Sequence, residues 1–597
     1  GKITKWNEIQ ILNKEFFIIQ WTFVELEVFY YMKTIQEVLR VEQIIEKQEL
    51  YKSLLSRYGK YVVHMRQQFH LSTSKLGLVL GAGISINVGL PDWNTIVKSI
   101  SEREDIKKLG ITIDTEADPI SNAQLLYQAY KTNLYSNADE HDKEYNRIEM
   151  IVRAQWREII HSALYNNVSD DITHLVRQDD YLWSLIEVIK KTPMTVNYNF
   201  DDTLQRMLYH INKRNRESRG YTTLWNTNIY MYPKMSVIYH PNGYLPYRLN
   251  EHPSEKLVFQ EDTFADQLID SINGHYNVLL DYFTHNTCLL IGLSLRDPTL
   301  KHILRNNAVN YPGTYHYYIK YVSSREDNTN EKALAEANFD VYNLITLFLT
   351  EKEIGALLEL VTMKEQDFKN YLQEIGKPIS YKYILVGAVG AGKTTALSYF
   401  RSIRTIDEWS ENMPVEMAKD PSKVGKAQLS AIDKWIAEQW FRKNNNLIDN
   451  SKSPNITIID RGPLDPLAFT PKGAWKQKCE LIKDKISPGK SNKQLCSAEI
   501  IFLKGDPSTM ASRAILIQRD TNRESLEKQQ KLIEYIYSRK KKGFSVIDTR
   551  DKSKEEVAKA IARLIFMEDY HEAPLNDLLE SFIQGRIREP QIILNHS

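Results

Sequence analysis

At 597 residues the chain is too long for a single hydrophobic core and calls for several domains. Its 77 basic and 76 acidic side chains leave a formal charge of +1, which gives no global attraction to nucleic acid or to an anionic membrane. Cys288, Cys479 and Cys496 are scattered without a CxxC pair, which argues against a disulfide framework and a four-cysteine zinc site and fits a reducing cytoplasm.

Residues 1–72 read as helical, with apolar positions at helical spacing and no Gly or Pro between Lys2 and Arg57. The apolar stretch Phe16 to Met32 is broken by Gln20, Glu25 and Glu27, so it reads as an amphipathic helix rather than a membrane span. From Lys75 short apolar runs alternate with helical stretches. LGLVLGAG, TPMTVNYNF, MSVIYHPNG and TCLLIGLS each end in or beside Gly, Asn or Ser, the pattern of a parallel sheet whose ligand-facing loops follow the strands. This texture defines a domain over 73–350. Residues 351–378 read as a charged helical linker. A second α/β unit over 379–566 contains YKYILVGAVG, NITIIDRG, AEIIFLKGD and FSVIDTRD, and 567–597 reads as a helix and tail.

Four loops of the first unit carry chemistry. In GAGISINVGLPDW, Gly81 and Gly83 allow a tight turn with close backbone approach to a pyrophosphate, and the next residues can open a helix toward it. TVNYNFDDTLQ offers Asn199, an amide that can orient a ribose hydroxyl or a water without adding charge, followed by Asp201 and Asp202. The same residues also suit an ordinary helix cap. In IYHPNGYLP, strand alternation would send His240 and Asn242 the same way, leaving His240 as a candidate base. LLIGLSLRDPTL places Gly292 and Ser294 before Asp297 and Pro298, a capped helix start.

In the second unit GAVGAGKT fits GxxxxGK[ST] between a strand and a helix. Gly387, Gly390 and Gly392 leave backbone N–H groups to wrap phosphates, Lys393 adds charge, and Thr394 would ligate Mg²⁺. Asp460 and Arg461 close the strand NITIID, where Asp460 could share the Mg²⁺ shell and Arg461 could hold a phosphoryl acceptor. Arg513, Arg519 and Arg523 follow a DP turn as candidate lid arginines, or form a solvated basic face.

GAGIS…GLPDW, NFDD, HPNG and IGLS…DP, in that order, resemble the sirtuin-like NAD⁺ hydrolases of bacterial antiphage defence. That resemblance implies a Rossmann-like domain that takes NAD⁺ as substrate. Asn199, His240 and Asp201 would be catalytic. Gly81, Ala82, Gly83, Ile84, Ser85, Pro91, Asp92, Asn242, Gly243, Gly292, Ser294 and Asp297 would line the dinucleotide site. The family usually shows histidine directly before the glycine, where this chain has Asn242. In the preferred register Asn197 stands where the family has threonine. Sirtuin deacylases carry a zinc ribbon built on two CxxC pairs, which this chain lacks, so water rather than acetyl-lysine is the expected nucleophile.

The order P-loop, Asp-Arg, DP and lid arginines resembles nucleoside and nucleotide kinases. Gly387, Gly390, Gly392, Lys393, Thr394, Thr395, Asp460, Arg461, Arg513, Arg519 and Arg523 would then bind ATP or a deoxynucleotide, with Thr394 and Asp460 on Mg²⁺. Together the resemblances imply a bacterial cytoplasmic, homo-oligomeric abortive-infection effector with a nucleotide sensor and a phage-derived trigger. The alternatives are a nucleoside kinase, or a receptor for NAD⁺ or ADP-ribose that does not cleave it.

Overall fold

The computed structural model describes residues 41–590 apart from 115, 145–146, 216–219, 227–234, 325–328, 420–422, 489–491 and 540–541. Residues 1–40 of the expected N-terminal helical region and 591–597 of the tail lie outside the described residues. The protein is α/β and is built on two parallel sheets.

The first sheet has β1 (Leu76–Leu80), β2 (Met194–Asn197), β3 (Gly220–Leu224), β4 (Met235–Tyr239), β5 (Thr287–Ile291), β6 (His316–Tyr321) and β7 (Leu344–Leu349) in the order β3-β4-β2-β1-β5-β6-β7. Every pairing is parallel. β1, β2 and β5 are buried along their whole length, as strands covered by helices on both faces require. The second sheet has β8 (Ser380–Val386), β9 (Arg404–Ile406), β10 (Asn455–Asp460), β11 (Glu499–Lys504) and β12 (Phe544–Asp548) in the order β12-β11-β8-β10-β9, again wholly parallel.

The sequence reading singled out β1, β2, β4, β5, β8, β10, β11 and β12, all of which are strands. It passed over β3, β6, β7 and β9. β9 has only three residues, and β3 is a half-buried edge strand, so neither shows a long apolar run. The stretch expected as a helical linker holds the helices Glu351–Thr362 and Glu365–Glu374.

A helix over 41–69 lies between the two sheets. Its buried Leu54, Leu55, Val62, Val63 and Met65 join a core shared with β6 and β7 on one side and with β8 and the helix Lys554–Met567 on the other. Gln67 exchanges hydrogen bonds with the backbone of Ile456 on β10 (3.0 and 3.1 Å), and the Tyr61 hydroxyl donates to the carbonyl of Phe566 (2.6 Å). Among the described residues no helix is long and apolar enough to cross a membrane.

Candidate functional site

β4, β2, β1 and β5 lie side by side and run the same way, so the four loops singled out in the sequence leave the sheet at one edge. The chain departs to one side of β1 through β2 and to the other through β5. In an open parallel sheet that reversal opens a crevice where ligands bind.

Asn199 lies two residues beyond β2. Its Nδ2 donates to the carbonyl of Gly81 and to the Ser85 hydroxyl, both at 2.9 Å, and Ser85 donates onward to Asp201 Oδ2 at 2.7 Å. Asp201 Oδ1 accepts the Thr203 amide (3.0 Å) at the start of the helix Thr203–Asn215. Both amide hydrogens of Asn199 are thus occupied. Its Oδ1 receives no hydrogen bond from a described residue and remains the acceptor that a ligand can meet.

His240 is 0% exposed. Its Nδ1 lies 2.7 Å from the carbonyl of Asn199 and its Nε2 2.8 Å from the amide nitrogen of Gln205. A carbonyl can only accept, so Nδ1 carries the proton and Nε2 accepts from Gln205. Burial pushes the imidazole pKa down to about 4, which keeps the ring neutral. His240 therefore grips the Asn199 backbone from behind, with both nitrogens engaged. The alternation expected to align His240 with Asn242 does not apply, because β4 stops at Tyr239 and a turn follows (Gly243 N–H to His240 carbonyl, 3.1 Å). Asn242 still reaches the same peptide segment, donating to the Tyr198 carbonyl (3.3 Å) and accepting from Gln267 (3.1 Å). Asp202 faces away toward Tyr165 and the Tyr247 amide, and burial raises its carboxyl pKa to about 6.

The turn after β1 departs from the expected phosphate cradle. The helix Gly83–Ile86 is a single turn. The N–H groups of Gly81 and Gly83 donate to the carbonyls of Ile291 and Gly292, and that of Ile84 donates to Gly81. Glycine is needed here first for loop-to-loop packing, since a Cβ on Gly83 would stand 2.8 Å from the Gly292 Cα. Gly292 itself has φ +71°, and a Cβ there would meet the Ile84 nitrogen at 2.8 Å. Ile84 is in the core, and Ala82 and Ser294 are exposed. Pro91 is half-buried beside Asp92, which caps the helix Trp93–Ser101, and Asp297 caps the helix Pro298–Asn310. Gly243 (φ +105°) packs against Leu257.

The second constellation lies at the end of β8, with β10 and β11 on either side. Gly392 (φ +92°) opens the helix Lys393–Leu397. Lys393 is 5% exposed and donates to the carbonyls of Gly387 (3.0 Å) and Ala388 (3.3 Å), the nearest acceptors for a buried ammonium whose pKa burial lowers. The Thr394 hydroxyl donates to Asp460 Oδ2 (2.7 Å), while the buried Asp460 Oδ1 has no partner among the described residues. Two hard oxygen donors, one of them with an unmet lone pair, fit a Mg²⁺ ligand set. Arg461 pairs with Glu408, Arg513 comes within 3.5 Å of the Gly390 carbonyl, and Thr395 is exposed.

A cavity of about 150 Å³ adjoins this loop, walled by Glu408, Trp409, Trp440, Arg461, Phe469 and Arg519, with Asp465 and Gln529 also in its lining. Arg519 faces it while donating to the Met417 carbonyl (2.8 Å). Arg523 is exposed and outside the lining, so the three lid arginines do not converge on one point. Burial raises the Asp465 pKa to about 6 and lowers that of Lys443, which donates to the Asp460 carbonyl (2.9 Å), to about 8.

Sequence reasoning missed Gln205, Gln267, Glu408, Lys443 and Asp465. Asp465 was within reach, four residues after Arg461 in DRGPLD. Glu408 follows the three-residue β9, and a lone glutamine or lysine on a helix carries no motif.

Residues 193–342 match the SIR2-like domain family, a stretch that runs from β2 to the helix Thr329–Tyr342 and leaves the Gly81–Trp93 loop outside. No curated protein matches the chain. The seven-stranded half therefore carries a SIR2-like domain, with the Asn199 and Asn242 turns both inside the matched stretch.

Proposed function

We propose that the chain is an NAD⁺ hydrolase that releases nicotinamide and ADP-ribose, serves as an abortive-infection antiphage effector, and is governed by its nucleotide-binding, kinase-like second half. The observation that carries this reading is the fixed Asn199 amide at the end of β2, with Oδ1 as its remaining acceptor. Cleavage breaks the bond between ribose C1′ and the nicotinamide nitrogen. The electron pair leaves with nicotinamide and neutralises its cationic ring, and C1′ becomes oxocarbenium-like. Water then forms the new C–O bond and loses its proton to bulk solvent. Asn199 Oδ1 accepts a hydrogen bond from that water or from a ribose hydroxyl and places no charge beside the cationic carbon. Asp201 acts through Ser85, which it orients and which holds Asn199. Neutral His240 fixes the Asn199 backbone.

In the second half the glycine loop and Lys393 would cradle the phosphates of ATP or a deoxynucleotide, with Thr394 and Asp460 holding Mg²⁺. The ion would supply charge neutralisation at those phosphates. Arg461, Arg513 and Arg519 would close on the transferred or sensed phosphate. Control in this reading runs through a homo-oligomer that answers to a phage-derived trigger.

One observation favours a second reading. Asn242 replaces the family histidine and His240 has no free ring nitrogen, so a receptor that binds NAD⁺ or ADP-ribose without cleaving it also fits. The test is nicotinamide release by the purified chain with and without ATP, Mg²⁺ and a panel of nucleotides. Asn199→Ala should lower release by about 100-fold or more, as expected when a positioned transition-state group is removed, and Lys393→Ala should abolish the nucleotide dependence. Intact NAD⁺ under every condition, with ADP-ribose bound, would establish the receptor. Phosphorylation of a nucleoside without nicotinamide release would make the kinase the main activity.

A further inference from the structure

We infer that residues 398–402, which leave the helix of the glycine loop, form with Tyr311–Gly313 a joint through which ligand binding in one half shifts affinity in the other. The inference rests on the reading that each half binds a nucleotide.

The helix Lys393–Leu397 carries Lys393 and Thr394 at its start, and only one residue separates its end from Tyr399. The Tyr399–Phe400 backbone lies flat against Gly313 of the seven-stranded half. A Cβ on Gly313 would stand 2.4 Å from the Tyr399 carbonyl oxygen and 3.0 Å from the Phe400 nitrogen. The Arg401 guanidinium lies over the Tyr311 ring at 5.1 Å and 3.4 Å from His285 Nε2. The Ser402 carbonyl accepts from His64 Nε2 (2.8 Å) and Gln68 (2.6 Å), and His64 Nδ1 contacts the Tyr317 hydroxyl of β6 (2.8 Å). Residues 399–402 are thus held at each position by the other half or by the helix 41–69.

Tyr311 ends the helix Pro298–Asn310, whose opposite end is capped by Asp297 beside Gly292 and Ser294. Thirteen residues at 1.5 Å each make a rod of about 20 Å from the joint to the NAD⁺ loops. That rod packs along the helix Glu261–Ile272, which supplies Gln267 to Asn242. A second strut runs parallel. The helix Lys554–Met567 touches the helix Lys393–Leu397, and its Arg563 and Lys559 reach Glu336 and the Asp340 carbonyl on the helix Thr329–Tyr342, which packs on the same rod. Close-packed interiors transmit displacement rather than absorb it. A shift of the glycine-loop helix on binding phosphate therefore moves Tyr311 and, through the rod, Asp297 and Asn242. Equilibrium coupling of this kind is reciprocal.

The experiment measures the affinity of the full chain for a non-hydrolysable ATP analogue with Mg²⁺, without and with saturating ADP-ribose. Wild type should show a shift of about five-fold or more, within the usual range of allosteric coupling. Arg401→Ala and Tyr311→Leu, variants that add no atoms, should each bind either ligand alone within about two-fold of wild type while the coupling factor falls below about two-fold. The joint is overturned if both variants keep the full coupling, or if wild type binds both ligands with none. Failure of wild type to bind ADP-ribose, or to bind the ATP analogue, overturns the proposed function along with the joint, so the two failures are told apart.

Discussion

Asn242 and His240 divide between them what one histidine would do. His240 is neutral and fully enclosed, and its Nε2 is taken by Gln205; Asn242 lies in the turn after β4, bonded to the Tyr198 carbonyl, but cannot exchange a proton. If hydrolysis here proceeds without a titrating base, its rate should be nearly flat between pH 6 and 8. Asn242→His should introduce a limb near the ordinary histidine pKa of about 6.5 and raise nicotinamide release. A lower rate with an unchanged pH profile would show that the Asn242 amide itself holds the substrate. His64 makes a different prediction. Burial depresses its pKa from 6.5 to about 4, so the unfolded chain binds more protons within that window. The stability that neutral His64 contributes is complete above pH 6.5 and is lost as pH falls toward 4, on the order of 3 kcal/mol at about 1.4 kcal/mol per unit. His64→Gln should flatten the fall of Tm across that range, read by scanning calorimetry. Asp202 and Asp465, whose pKa values burial raises to about 6, work in the opposite sense between pH 3.8 and 6, so the variant must be compared with wild type at each pH.

At the scale of elements, the glycine loop and the helix Pro507–Leu516 constrain one another closely. Gly390 has φ +77°, and a Cβ there would stand 2.6 Å from the Met510 carbonyl oxygen. Gly390→Ala must therefore both strain the left-handed residue and push the helix away, at a cost of about 2 to 4 kcal/mol. Binding of an ATP analogue should weaken at least about 10-fold while ADP-ribose binding stays unchanged; equal binding of both ligands would show that the helix yields freely. The eight strands read from the sequence are largely apolar runs closed by a turn residue, and in all but the half-exposed edge strand β12 burial on both faces makes such runs visible. β6 was hidden because HYYIKY mixes polar and aromatic residues, although His316 and Tyr317 are buried. The loop residues around Asn199 were legible because they follow strand ends. Their contacts were not: that Gly83 is spent on Gly292, or that Gln205 sets the tautomer of His240, depends on which strands are neighbours. Parallel pairing between segments more than a hundred residues apart leaves no local trace.

For the whole molecule, the helix 41–69 determines what can be separated from what. Its apolar face is covered by both sheets, and Arg66 donates to the carbonyls of Leu360 (2.5 Å) and Val361 (3.1 Å) under the Phe368 ring. Residues 73–350 expressed alone should aggregate, and residues 41–378 should remain soluble but less stable, as measured by chemical unfolding. Equal stability of 41–378 and the full chain would mean that the second sheet contributes nothing to the first.

The same helix leaves the ribosome early and finds its last partners late. Tyr61 closes on Phe566, 505 residues downstream, and Lys60 on Glu568, 508 residues downstream. At translation rates of about 5 to 20 residues per second that interval is roughly 25 to 100 s. β6 and β7 reach one side of the helix sooner, but the side that packs on β8 and the helix Lys554–Met567 stays bare until those elements are made, so synthesis should lean on holding chaperones.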